Sequence, residues 1–310
     1  MPSLTPPLRL VVALTAVLFA TTACWSGDAA EQDMLEPRTF GDLPAEIDYV
    51  ALGDSYSAGP LVTTIRSDPS GCVRSTDNYP AFLAGWLSVE TYTDVTCSAA
   101  DTADLTASQR LLDGKRAAPQ LDALSEDTDL VTLGIGGNDF SIFSSLIDCI
   151  DACSDEVQHL LLRNAGRVER RVADAVREIA GRAPSAEVFV VGYPRVLPDE
   201  KSCRAVPLPP ARLAVATRIA TRLNDSLRAG AEAAGAAYVD VDPASEGHDV
   251  CAGKAAWING PHMRMGIAAP FHPMLAGMRG VAAEVFATIT GDEAPAGEWA
   301  TPPRDAVVRN

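Results

Sequence analysis

The strongest constraint on this chain is an alternation of two patterns. Short apolar runs, several ending at glycine or a polar cluster, are separated by longer stretches whose apolar residues recur at helical spacing. Residues 47–52 form such a run and end at Gly53; 89–97 form a second, rich in Thr, Tyr and Val; 130–133 end at a glycine cluster; 187–191 and 237–241 supply two more. Between them, Val157, Leu161, Val168, Val172, Val176 and Ile179 trace one helical stripe over 155–182, and Leu213, Ala216, Ile219, Leu223 and Leu227 another over 210–234. A last helix is expected over 273–290, with Pro273 in its first turn. Strands that alternate with helices must pair in parallel and be covered on both faces, so the expected fold is a three-layer α/β/α sandwich around a central parallel sheet. One domain over 46–291 suffices for these elements, with no internal repeat.

The termini read differently. Arg9 precedes an apolar run over 10–20, too short to span a bilayer but suited to the core of a signal peptide. Ala23 before Cys24 resembles a lipobox, although Thr21 stands where leucine is usual and the first residues carry little positive charge. The expected organisation is a signal peptide over 1–24 with Cys24 as lipidation site, an acidic linker over 25–45 and a disordered tail over 292–310. Ordinary secretion without lipid is the alternative. The expected location is therefore outside the cell or in its envelope, with membrane anchoring through Cys24. Setting Cys24 aside leaves Cys72, Cys97, Cys149, Cys153, Cys203 and Cys251, an even number that fits three disulfides in an exported chain. Sequential pairing is the simplest arrangement, but the count leaves the others open. No CxxC pair or close Cys/His cluster is present, so no metal is expected. The net charge of −16 opposes binding to polyanions and argues against nucleic acid as a partner.

Three polar clusters follow predicted strands, at the sheet edge where open parallel sheets bind ligands. Gly53-Asp54-Ser55-Tyr56 follows the first; its serine can present a hydroxyl and its own N–H to one point. Cys97-Ser98-Ala99-Ala100-Asp101 follows the second. Gly134-Ile135-Gly136-Gly137-Asn138-Asp139 follows the third, where Asn138 can offer a side-chain N–H to a developing oxyanion. A nucleophilic serine needs a base. Of the four histidines, His159 falls in a helix and reads as a surface residue, His248 and His262 lie in loops and remain open, and His272 stands just before the last helix.

Gly53-Asp54-Ser55, Gly136-Gly137-Asn138-Asp139 and His272-Pro273, in that order, resemble blocks I, III and V of the SGNH (GDSL-type) hydrolase family over about 47–290. The resemblance implies a flavodoxin-like fold, an acyl-serine mechanism without cofactor, Ser55 as nucleophile and His272 as general base. It implies an oxyanion hole from the N–H of Ser55, the N–H of Ala99 and the side chain of Asn138. The cysteine spacing resembles secreted actinobacterial members and favours sequential disulfides. Two positions depart from the family. Ala99 stands where glycine is usual, which costs roughly 1 kcal/mol if the backbone there is left-handed. Ala269 stands where most members have the aspartate that orients the histidine; the expectation is a dyad in which the Ala269 carbonyl accepts the Nδ1–H of His272.

Each residue also has a plainer reading. Ser55 can be a turn or cap residue, Asn138 can brace a glycine turn, and His272 can mark a helix entry. Asp54 and Asp139 read as structural. Trp257-Ile258-Asn259-Gly260 is either part of an acyl site or packing. The expected function is an exported, monomeric serine esterase or lipase acting on small esters or lipids. The alternatives are an O-acetyl esterase on glycans and a catalytically inactive envelope lipoprotein, the latter favoured only by Ala99 and Ala269. No GxSxG elbow is present, which argues against an α/β-hydrolase.

Overall fold

The computed structural model describes residues 43–151 and 153–296. The expected signal segment with Cys24, and most of the linker and tail, lie outside the described residues. Five strands, β1 (Asp48–Gly53), β2 (Thr91–Asp94), β3 (Leu130–Gly134), β4 (Glu187–Val191) and β5 (Ala237–Val239), form one parallel sheet in the order β2-β1-β3-β4-β5. This is the flavodoxin-like order, whose direction of winding reverses between β1 and β3. The helices are α1 (Ser55–Ala58), α2 (Tyr79–Leu87), α3 (Ile142–Asp151), α4 (Asp155–Arg182), α5 (Pro210–Ala233), α6 (Val241–Ala244) and α7 (Leu275–Thr290).

Period-two alternation divides the strand side chains between two cores. Val50, Leu52, Val131, Leu133, Val188 and Val190 face one side and pack with Leu161, Val168 and Val172 of α4 and Ile219, Leu223 and Leu227 of α5. Tyr49, Ala51, Phe189 and Val191 face the other and meet Phe82 and Leu83 of α2 and Met278, Val281 and Val285 of α7. The three expected layers are thus present, and the apolar stripes read in α4 and α5 are the faces they bury.

Several boundaries differ from expectation for local reasons. β2 ends at Asp94 because its carboxylate turns back to accept from Thr96 N (3.0 Å) and Thr96 Oγ1 (2.6 Å), although Val95 and Cys97 still donate to Ala51 and Gly53 of β1. β5 stops at Val239 because Asp240 is the N-cap of α6. α7 starts at Leu275, not at Pro273, which instead bridges Ile258. α2 was not legible as a helix: its sequence YPAFLAGWL is apolar nearly all round, and its start is set by the Asn78 side chain accepting from Ala81 N. α3 occupies a stretch in which the sequence pattern predicts no element.

The disulfides pair sequentially: Cys72–Cys97, Cys149–Cys153 and Cys203–Cys251. The first ties the segment after β2 to the loop before α2, and Ser98 N donates to the Cys72 carbonyl beside it (3.0 Å). Its partners are 25 residues apart, so a Cys72→Ala/Cys97→Ala variant is expected to lose about 3 kcal/mol of stability, read as a lowered urea midpoint.

Candidate active site

The reversal between β1 and β3 leaves their C-terminal ends side by side, with Gly53 paired to Gly134. The approach is close enough that a Cβ at Gly53 would lie 2.6 Å from the Gly134 carbonyl oxygen and 2.4 Å from Ser57 Oγ. The side chain of Gln120 clamps the turn, accepting from Gly53 N (2.8 Å) and donating to Gly53 O (3.0 Å). Asp54 then caps α1, accepting from Tyr56 N at 2.8 Å, and Ser55 is the first residue of that single turn.

His272 Nε2 lies 2.8 Å from Ser55 Oγ, across 217 residues of sequence. Its Nδ1 lies 2.7 Å from the carbonyl oxygen of Pro270. A carbonyl only accepts, so Nδ1 carries the proton, and in the neutral ring Nε2 is left to accept from the serine hydroxyl. Burial holds the imidazole below its usual pKa, only partly offset by the Pro270 carbonyl, which favours the neutral ring. The expected carbonyl is therefore corrected by one residue: Ala269 O does not take Nδ1. It accepts instead from the His272 backbone N–H (3.3 Å) and from Asn259 Nδ2 (3.0 Å), which closes a tight turn that aims Pro270 O at the ring. The Tyr56 ring lies against the imidazole with centroids 5.0 Å apart, and Tyr56 Oη donates to Phe271 O at 2.7 Å.

The other two clusters meet the first at the same sheet edge. Ala99 has φ of +67°, the left-handed conformation that explains why glycine is usual there, and it accepts the strain of roughly 1 kcal/mol that a Cβ adds. Among the described residues neither Ser55 N nor Ala99 N donates to a protein acceptor. Asn138 uses one of its two amide hydrogens on the Ala100 carbonyl (2.9 Å), which links the second and third clusters. Asp139 is fully buried and ties the same loops to α4: it accepts from Thr102 N (3.1 Å), Thr102 Oγ1 (2.6 Å) and Arg171 Nη1 (3.0 Å). Its structural reading is supported by every one of these contacts.

The remaining histidines are elsewhere. His159 and His262 are exposed, and His248 stacks on Trp257 (4.7 Å) while its Nδ1 meets Ala255 O. Trp257 rests on α7, where a Cβ at Gly280 would lie 2.3 Å from its ring, so it packs between loop and helix. Asn259 is buried and holds the His272 loop, its Nδ2 reaching the His262, Ala268 and Ala269 carbonyls.

Tyr193 is the functional candidate that sequence reading missed. Gly137 N donates to Tyr193 Oη (2.7 Å), and Tyr193 Oη donates to Asp54 Oδ2 (2.5 Å). One phenol thus joins the residue before Ser55 to the residue before Asn138. Asn224 of α5 fixes the Tyr193 backbone through both its N–H (3.0 Å) and its carbonyl (2.9 Å). Burial pushes the Asp54 carboxyl up to about 7, against the lowering effect of the Tyr193 hydroxyl. The only signal in sequence is a tyrosine two residues past the end of β4. Tyr193→Phe leaves a buried N–H and a buried carboxyl each short of a partner. It is expected to lower stability by about 1–3 kcal/mol and to reduce kcat more than it raises KM, checked by urea unfolding and ester hydrolysis.

Comparison with known proteins identifies the family of this fold. The model of the GDSL-like lipase/acylhydrolase family matches residues 51–279. Lipase 2 of Streptomyces coelicolor is 38% identical over 304 residues, covering 89% of this chain and 96% of its own. The crystal structure of an extracellular lipase from Streptomyces rimosus superposes with a TM-score of 0.67 at 28% identity, covering 79% of this chain and 100% of that one. That of phospholipase A1 from Streptomyces albidoflavus NA297 gives 0.65 at 29% identity, with 79% and 99% covered. With the sheet order and the three clusters already in place, the chain belongs to the GDSL-like lipase/acylhydrolase family and is a carboxylic ester hydrolase of the SGNH type.

Proposed function

We propose that the protein is an exported serine esterase or lipase that works through an acyl-Ser55 intermediate. The observation that carries this reading is the 2.8 Å contact of Ser55 Oγ with His272 Nε2, in a ring whose Nδ1 proton is held by Pro270 O. Ser55 Oγ attacks the ester carbonyl carbon while its proton passes to Nε2. The tetrahedral intermediate collapses, the alkoxide leaves with that proton, and the acyl group remains on Oγ. Water then repeats the sequence, with His272 again as base, and releases the acid. The oxyanion is met by Ser55 N, Ala99 N and the free amide hydrogen of Asn138, each donor contributing about 3–4 kcal/mol to the transition state. A carbonyl dipole in place of a carboxylate orients the imidazole and offers less stabilisation to the imidazolium.

Export rests on the N-terminal sequence, on three disulfides and on the likeness to an extracellular lipase. Lipidation of Cys24 belongs to the same reading.

Hydrolysis of p-nitrophenyl butyrate by the parent and by Ser55→Ala tests it. Turnover is expected in the parent and lost in the variant. Turnover retained in Ser55→Ala refutes the nucleophile. A parent inactive on this ester and active on acetylated glycans moves the assignment to the O-acetyl esterase. The reactive form is the neutral imidazole and its pKa is lowered, so the base persists into mild acid. The acid limb of kcat/KM is therefore expected to fall below pH 6.5, the ordinary value for histidine.

A further inference from the structure

Five of the six large apolar side chains exposed among the described residues stand on two features at the Ser55 end of the sheet: Met263 and Met265 on the loop before His272, and Ile147 on α3 with Val157 and Leu160 in the first two turns of α4. The second feature is the corner where α3 hands over to α4. It lies at that end because α3 follows the C-terminal end of β3 and α4 must run back to start the parallel strand β4. The first loop lies there because it leads into His272. Its neck is built: Phe271 N donates to Gly260 O (3.2 Å), and Arg264 and Ala268 exchange backbone hydrogen bonds (3.2 and 3.0 Å). Thr63 N donates to Gly266 O (3.4 Å) from the neighbouring loop. Residues 261–266 are all exposed, and Met263 and Met265 stand out at 66% and 75% of their surface, on either side of Arg264. Nothing in the loop's own contacts accounts for two methionines facing water. Exposed apolar groups gathered around one feature mark a surface that meets another phase or partner.

We propose that the 261–266 loop and the adjoining ends of α3 and α4 dock the protein on a zwitterionic phospholipid bilayer, with Met263, Met265, Ile147, Val157 and Leu160 entering the interface at the Ser55 end of the sheet. Charge selects this occupant. Residues 260–272 contain no acidic side chain, and Arg264 has no carboxylate partner among the described residues, so it is free to meet a headgroup phosphate. The first turn of α4 carries Asp155 and Glu156, suited to headgroup ammonium groups. A net charge of −16 repels a surface that is anionic throughout. Flexible methionines adapt to a fluid surface without a shaped pocket.

The test uses the full chain with Cys24→Ser, so that a single introduced cysteine carries an environment-sensitive fluorophore; the other six cysteines are paired. Labels at Met265→Cys and Ile147→Cys are expected to shift to shorter wavelength on phosphatidylcholine vesicles. A label at Ser185→Cys, exposed in the α4–β4 turn at the other end of the sheet, is expected not to shift. No shift at residues 265 and 147, an equal shift at 185, or a response only to phosphatidylglycerol overturns the proposal. A second arm rests on the esterase reading: Met263→Ser/Met265→Ser is expected to hydrolyse dissolved p-nitrophenyl butyrate like the parent and phosphatidylcholine vesicles about ten-fold more slowly. An equal loss on both substrates also overturns the docking role. A parent without esterase activity refutes that reading and leaves the fluorescence arm to decide docking.

Discussion

The site depends on the place where β1 and β3 run side by side and end together. Asp54 N donates to the Gly134 carbonyl at 2.9 Å, so the chain leaves β1 still bonded to the last residue of β3. From that point Ser55 is two residues beyond Gly53, and Asn138 is four beyond Gly134. The reversal of winding opens the crevice, and glycine at both strand ends permits the approach. Everything the chemistry requires is then a short loop away: a serine on one turn of helix, an amide on the adjacent loop, and the left-handed Ala99 on the segment that extends β2.

The polar interior around this point is densely bonded, although Gln109 Oε1 and Ser98 Oγ are buried without a partner among the described residues. Asp54, Tyr193, Gly137, Asp139, Thr102, Gln120 and Gln109 link the three loops by hydrogen bonds of 2.5–3.1 Å, and none of them faces solvent as its main contact. Buried polar groups in such a network hold one arrangement firmly, because each displacement leaves a group unpaired at high cost. The proposed oxyanion donors are thereby held in place before a substrate arrives, the condition under which such donors accelerate a reaction. The histidine side is built differently. Its support is a turn of backbone over residues 269–272, braced by Asn259, with a carbonyl rather than a carboxylate on Nδ1.

Much of this was legible in the sequence. Helical spacing gave α4 its observed ends, and strand-length apolar runs followed by glycine marked β1 and β3, because periodicity and punctuation report buried faces and turns directly. Ser55, Asn138 and His272 were legible through family motifs and are brought to one sheet edge. What stayed hidden lacks a local signature. Tyr193 and Gln120 act across 139 and 67 residues on groups that no spacing connects to them. The shift from Ala269 to Pro270 is set by the φ/ψ angles of one turn, which a residue pattern does not encode. α2 was missed because a helix buried almost all round has no polar face to reveal its period.

The central claim is that Ser55 is a nucleophile made reactive by His272. It is tested most directly by treating the folded protein with a fluorophosphonate and mapping the adduct by peptide mass spectrometry, in the parent, Ser55→Ala and His272→Ala. The account requires one adduct, on the peptide containing Ser55, absent from Ser55→Ala and formed far more slowly in His272→Ala. An adduct on another residue, or labelling of Ser55 at the parent rate without His272, would contradict it.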